Sequence, residues 1–126
     1  MTERCAVVVA HGEMAEGLVS ALARVAGPQE NVWAIASDVE GGLAQAIEGL
    51  LAERAAGCEA VLFSDVDGGS CGQACRRLLA RGVVRAVFHG VNLPMLFEFV
   101  FLQDRPFDEM VDEIVSKSRR SIGVHQ

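Results

Sequence analysis

The sequence predicts an α/β fold: a doubly wound, mainly parallel sheet of order 2-1-3-4 with helices on both faces. Three observations predict it. Short β-rich apolar runs alternate with longer runs of helical periodicity along the chain. The first run, Cys5 to Ala10 (CAVVVA), is continuously apolar with three consecutive valines, as a central parallel strand covered on both faces requires. The resulting order β-α-β-α-β-α-β-α leaves parallel strands joined by right-handed crossovers, the economical way to bury such strands.

Each element has a local reason. After the first strand, Met14 to Val25 carries Leu18, Leu22 and Val25 at helical spacing, and Gly27-Pro28 stops it. Val32 to Ala36 (VWAIA) is a second strand, with Trp33 in the core. Leu43 to Ala56 repeats apolar residues at Leu43, Ile47, Leu50, Leu51 and Ala55, an amphipathic helix closed by Gly57. Ala60 to Ser64 (AVLFS) is a third strand, followed by the loop DVDGGS. Cys71 to Arg81 is a third helix ending at Gly82, and Arg85 to His89 (RAVFH) a fourth strand.

Pro94 suits the start of a helix running to Leu102, where its missing N–H is no loss. That helix is apolar nearly all round (Met95, Leu96, Phe97, Phe99, Val100, Phe101, Leu102), which points to partial burial in a homodimer interface. Phe107 to about Ser118 is a last helix with Met110, Val111, Ile114 and Val115 on its apolar stripe. Ile122 to His125 is a candidate short antiparallel final strand. No internal repeat or linker interrupts the series, so residues 1–126 read as a single domain.

Composition narrows the function. The net charge of -6 argues against a nucleic-acid binder, which needs a basic face for phosphates. No apolar run approaches the roughly 18 residues of a membrane span, and His11-Gly12 cuts the N-terminal run too short for a signal sequence, so a cytoplasmic protein is expected. The four cysteines then sit in a reducing compartment. Cys71 and Cys75, four apart on one helix, lack the further ligands a zinc site needs, and all four read as small buried hydrophobes. No metal and no cofactor is expected.

In a sheet of this order, ligands bind beyond the carboxyl ends of the strands where strand order reverses, between strands 1 and 3. The residues there are His11 and Gly12 after strand 1, and Asp65, Val66, Asp67, Gly68, Gly69 and Ser70 after strand 3. A neutral imidazole is a nucleophile. A carboxylate bonded to one ring nitrogen sets the tautomer and frees the other nitrogen's lone pair. Backbone N–H groups of Gly68, Gly69 and Ser70, and of Gly12, suit a phosphoryl oxygen, and helix dipoles favour its charge. Taken singly, each feature also has a plainer reading: a turn histidine, a Ser N-cap, an Asx-turn. His89, at the end of strand 4, reads as a packing or turn residue, and His125 as solvated.

Several runs carry a family resemblance. VVVAHGEMAEGL (7–18) resembles the active-site segment of the IIA proteins of the mannose/fructose/sorbose family of the bacterial sugar phosphotransferase system. AVLFSDVDGGS (60–70) is similar to that family's third strand and Asp-x-x-Gly-Gly-Ser loop, and GVNLPMLFEFV (90–100) to its Gly-x-Asn-x-Pro-Met-Leu segment. GPQENV (27–32) and the tail FDEMVDEIVSKSRRSIGV (107–124) match as well. The resemblance implies a phosphoryl carrier: His11 accepts phosphate from the phosphocarrier HPr and passes it to a IIB component, which phosphorylates sugar crossing the membrane components IIC and IID. By position it makes His11 the phosphorylated nucleophile, Asp65 rather than Asp67 the carboxylate that orients it, and Ser70 a phosphate-proximal hydroxyl. It also implies a homodimer, with a C-terminal strand exchanged between subunits in some members.

The chain departs from that pattern where the stretch between strand 3 and Gly68 is one residue short, where Cys71, Gly72 and Gln73 follow Gly-Gly-Ser in place of the family's Pro and frequent Asn, and where Glu13 sits two residues past His11. These departures leave a second reading, a regulatory, non-transporting protein of the same fold. A flavodoxin-like binder of a phosphorylated small molecule is a third, opposed by the short loop after strand 1 with no Ser/Thr-rich turn. A receiver domain is disfavoured because no acidic pair precedes His11-Gly12.

Overall fold

Strand β1, Arg4–Ala10, is buried along its whole length. A run with no solvent-facing residue must pair on both edges and be covered on both faces, and it is. In the computed structural model, which describes residues 3–126, β1 lies between β2 (Val32–Ala36) and β3 (Glu59–Ser64), and β4 (Ala86–His89) extends the far edge. The sheet is all-parallel with order β2-β1-β3-β4. The expected strand order is therefore observed.

The chain divides into two compact units, one through Val91 and one from Asn92 onward. In the first, the crossovers are α1 (Met14–Ala26), α2 (Leu43–Arg54) and α3 (Gly69–Ala80). The two-residue alternation of β1 sorts the core. Cys5, Val7 and Val9 join Leu62 of β3, Ile47 and Leu51 of α2, and Cys71, Cys75 and Leu78 of α3 in one apolar cluster, with Trp33 packed against it. Ala6, Val8 and Ala10 point to the opposite face. There Phe63 and Phe88, paired across β3 and β4, stack with ring centroids 4.8 Å apart.

α3 begins two residues earlier than the periodicity suggested. Gly68 takes the extended N-cap conformation and the Gly72 N–H already donates to the Gly68 carbonyl at 3.2 Å, so the glycine pair belongs to the helix start rather than to the loop. Of the four cysteines, all free, Cys5, Cys71 and Cys75 are buried, while Cys58 is half-buried with its thiol donating to the Glu3 carbonyl.

The second unit holds α4 (Leu93–Phe101) and α5 (Phe107–Arg120). Asn92 caps α4, its Oδ1 accepting from the Met95 N–H at 3.0 Å, and Pro94 occupies the first turn, which explains the Asn-Leu-Pro-Met run physically. Lys117 of α5 reaches Glu98 of α4 at 3.7 Å and Glu113 at 3.2 Å. Met95, Leu96 and Phe99 are buried, whereas Phe101 is 65% exposed. The final strand expected over Ile122–His125 is not formed. The Ile122 N–H donates instead to Arg119, continuing the helix end, and residues 122–126 have no strand partner among the described residues.

Candidate functional site

The chain leaves β1 through His11 and Gly12 and turns into α1, with the Met14 N–H donating to the His11 carbonyl. Gly12 makes this turn at φ +58, in the left-handed region that a side chain disfavours. The neighbouring strand, β3, ends at Ser64, in register with Val9, and the Asp65 N–H continues the ladder by donating to the Val9 carbonyl. Adjacent strand ends thus deliver His11 and Asp65 to one place. The Asp65 Oδ2 lies 2.7 Å from the ring Nδ1 of His11 and accepts the His11 main-chain N–H at 2.9 Å.

A carboxylate accepts and does not donate, so this contact assigns the ring proton to Nδ1 and leaves the Nε2 lone pair unengaged by Asp65. The ring is open to solvent, 63% exposed, while the carboxylate beneath it is only 9% exposed. Burial pushes the Asp65 carboxyl upward. The N–H and ring bonds of His11, its positive charge when protonated, and the Val66 N–H outweigh that, and hold Asp65 below the usual carboxylate range.

Behind the carboxylate lies a small buried polar group. The Ser64 hydroxyl donates to the Val66 carbonyl at 2.7 Å and sits 3.4 Å from the Cys71 sulfur, which donates to Asp65 Oδ1 at 3.8 Å. Burial pushes the Cys71 thiol up, and the nearby Asp65 charge adds to that push.

The loop beyond Asp65 is held from one side. The Arg76 guanidinium donates to both the carbonyl and Oδ1 of Asp67. Gly72 lets this happen: a Cβ there would stand 2.0 Å from the Asp67 carbonyl oxygen. Gly68, Gly69 and Ser70 follow, exposed, at the start of α3, and neither α1 nor α3 has a side-chain cap. The first-turn amides of both helices therefore lack intrahelical partners, as helix geometry dictates. Ser70 makes no bond to His11 or Asp65 among the described residues. Glu13, at the N-cap of α1, is exposed, as are two apolar neighbours of the pair, Met14 at 42% and Val66 at 46%.

His89 ends β4 in register with Ser64 and is exposed, a turn residue before Gly90 rather than a packed one. Among the described residues, no three His, Cys, Asp or Glu side chains converge as a metal ion would need, and no helix is long and apolar enough to cross a membrane. The sequence points to His11 and Asp65 but not to the contacts that Ser64, Cys71, Gly72 and Arg76 make around them. A glycine inside a helical run was the one available sign of a close backbone approach.

Comparison with curated proteins gives no match. Among solved structures, the chain is similar to a protein described as a phosphoenolpyruvate-dependent sugar phosphotransferase system permease from Klebsiella pneumoniae (TM-score 0.86, 24% identity, covering 98% of this chain and 91% of that one). It is also similar to the phosphotransferase system component EIIA from Streptococcus agalactiae (TM-score 0.80, 25% identity, 96% of each chain). A third likeness is to the mannose/sorbose-specific IIA subunit from Enterococcus faecalis (TM-score 0.80, 18% identity, 100% and 96%). The family model described as the PTS system fructose IIA component, EIIA-man, matches residues 5–117, and the chain belongs to that family.

Proposed function

We propose that the chain is a phosphoryl carrier of a sugar phosphotransferase system, accepting phosphate from HPr on His11 and passing it to a IIB component. The observation that carries this reading is the 2.7 Å contact between His11 Nδ1 and Asp65 Oδ2 beneath a solvent-open ring. With Nδ1–H held by the carboxylate, Nε2 is the attacking atom. The new N–P bond forms at Nε2 as the donor's bond to phosphorus breaks, and the positive charge developing on the ring is stabilised by Asp65. Amides of Gly68, Gly69 and Ser70, with Gly12, supply donors to the phosphoryl oxygens, and the α3 dipole favours their charge. Ser70 adds a hydroxyl on the same rim.

Exposed Met14 and Val66 give the pair an apolar surround suited to a protein partner rather than a small substrate. Exposed Phe101, Ile122 and Val124 similarly support a homodimer in which the tail finds its strand partner in a second copy. No metal or cofactor takes part, and the carrier works in the cytoplasm, meeting the membrane components only through IIB.

Incubation with enzyme I, HPr and phosphoenolpyruvate should place an acid-labile, base-stable phosphate on the protein, with the Nε2 signature by NMR, and His11→Ala should abolish it. No labelling in an active relay with the cognate HPr would refute the assignment. A second reading, a non-transporting regulator, is favoured by the α3 start, where Cys71 and Gly72 stand in place of the family's Pro. Phosphate that enters His11 but leaves to no IIB partner would select it.

A further inference from the structure

We propose that Cys71 is a positioning residue for the His11–Asp65 pair, its thiol anchoring Asp65 Oδ1 so that Oδ2 stays turned to the imidazole. This rests on the carrier reading for its consequence but not for its geometry. Asp65 presents two oxygens, and the His11 main chain and ring both go to Oδ2. Oδ1 faces inward, where the Cys71 sulfur lies 3.8 Å away and only 1% of that residue is exposed.

The neighbouring hydroxyl decides the direction of the thiol's bond. Ser64 has one proton, and it is committed to the Val66 carbonyl at 2.7 Å, so toward Cys71 at 3.4 Å its oxygen acts as an acceptor. The S–H proton is therefore shared between Ser64 Oγ and Asp65 Oδ1. Burial and the adjacent carboxylate keep the thiol protonated, so it acts as a neutral donor and adds no charge to the site. Its burial also removes it from direct contact with a phosphoryl group or a docking protein. The start of α3 is thus tied to the end of β3 through a side chain at the position where the family pattern has a proline, which has no such donor.

The test uses Cys71→Ala and Cys71→Ser, with the Asp65 carboxyl followed by carbon NMR through an acid titration, the His11 ring nitrogens by nitrogen NMR, and phosphoryl uptake from HPr. In Cys71→Ala the carboxylate loses a donor, so its midpoint should rise and uptake should slow about threefold to tenfold, the scale of one lost hydrogen bond. Cys71→Ser, retaining a hydroxyl donor, should restore both toward the parent. An unchanged Asp65 midpoint in folded Cys71→Ala overturns the proposal, as does an equal loss in Ala and Ser.

Should Cys71→Ala not fold, Ser64→Ala supplies the decision. It removes the competing acceptor and hands the thiol to Asp65, so the midpoint should fall; no change, or a rise, overturns the proposal. Because the titrations need no phosphate donor, a failure of labelling would count against the carrier reading alone.

Discussion

Asp65 carries the largest number of donors at the candidate site: the His11 amide, the His11 ring, the Val66 amide and the Cys71 thiol. Replacing it by Asn would present an amide in place of the acceptor that holds Nδ1–H, and Asp65→Asn should slow phosphoryl uptake by about 10²-fold or more while preserving the fold, measured by stopped-flow transfer alongside circular dichroism. The carboxyl is held below its ordinary value, so its bonds contribute stability in full above the unfolded value of about 3.9. That contribution is lost as pH falls through the lower native value, and an unfolding titration should show destabilisation beginning below about pH 4 that Asp65→Asn removes. At Gly72 the prediction is steric. A Cβ 2.0 Å from the Asp67 carbonyl oxygen forces the loop outward, and Gly72→Ala should cost about 1–3 kcal/mol in urea unfolding and loosen the Arg76–Asp67 contact. Apolar runs place the ends of strands 1 and 3 and so bring His11 beside the Asp65–Ser70 loop, while the preference for Asp65 over Asp67 comes from the family resemblance. The contacts of Cys71 and Arg76 were not legible, because which atom a side chain meets depends on rotamers that periodicity does not encode.

Elements were legible where hydrophobic period and stop signals coincide. β1, bounded by His-Gly, and α1, stopped by Gly27-Pro28, both fall within a residue or two of their expected limits. The start of α3 was misplaced because two glycines read as loop, though Gly68 serves as the N-cap. The final strand is absent within one chain: Ile122 and Val124 have β-like character, but a strand exists only through a neighbour, and the described residues supply none. The α4 cap is a clean quantity to measure. Asn92→Ala removes the acceptor for the Met95 N–H and should destabilise the protein by about 1 kcal/mol in denaturant unfolding.

At the scale of the whole chain, strand order was readable because few topologies satisfy short right-handed crossovers, and β2-β1-β3-β4 is the common small solution. The cluster between the sheet and α2–α3 holds three of the four cysteines, which were legible as buried hydrophobes; burial, with Cys71 adjoining, pushes the Cys75 thiol up to about 12. Alkylation of the native protein at pH 8 should therefore leave Cys5, Cys71 and Cys75 intact, with mass spectrometry finding modification there only after denaturation.

The double engagement of Oδ2 has a consequence for how the imidazole can travel. A ring that swings away to meet a partner breaks one tie to that oxygen, but the peptide N–H of the same residue maintains the other, so the acid keeps its orientation and the ring returns to a ready seat. The seat should outlast even the removal of its occupant: in His11→Ala, the amide proton of residue 11 should still exchange slowly with deuterium.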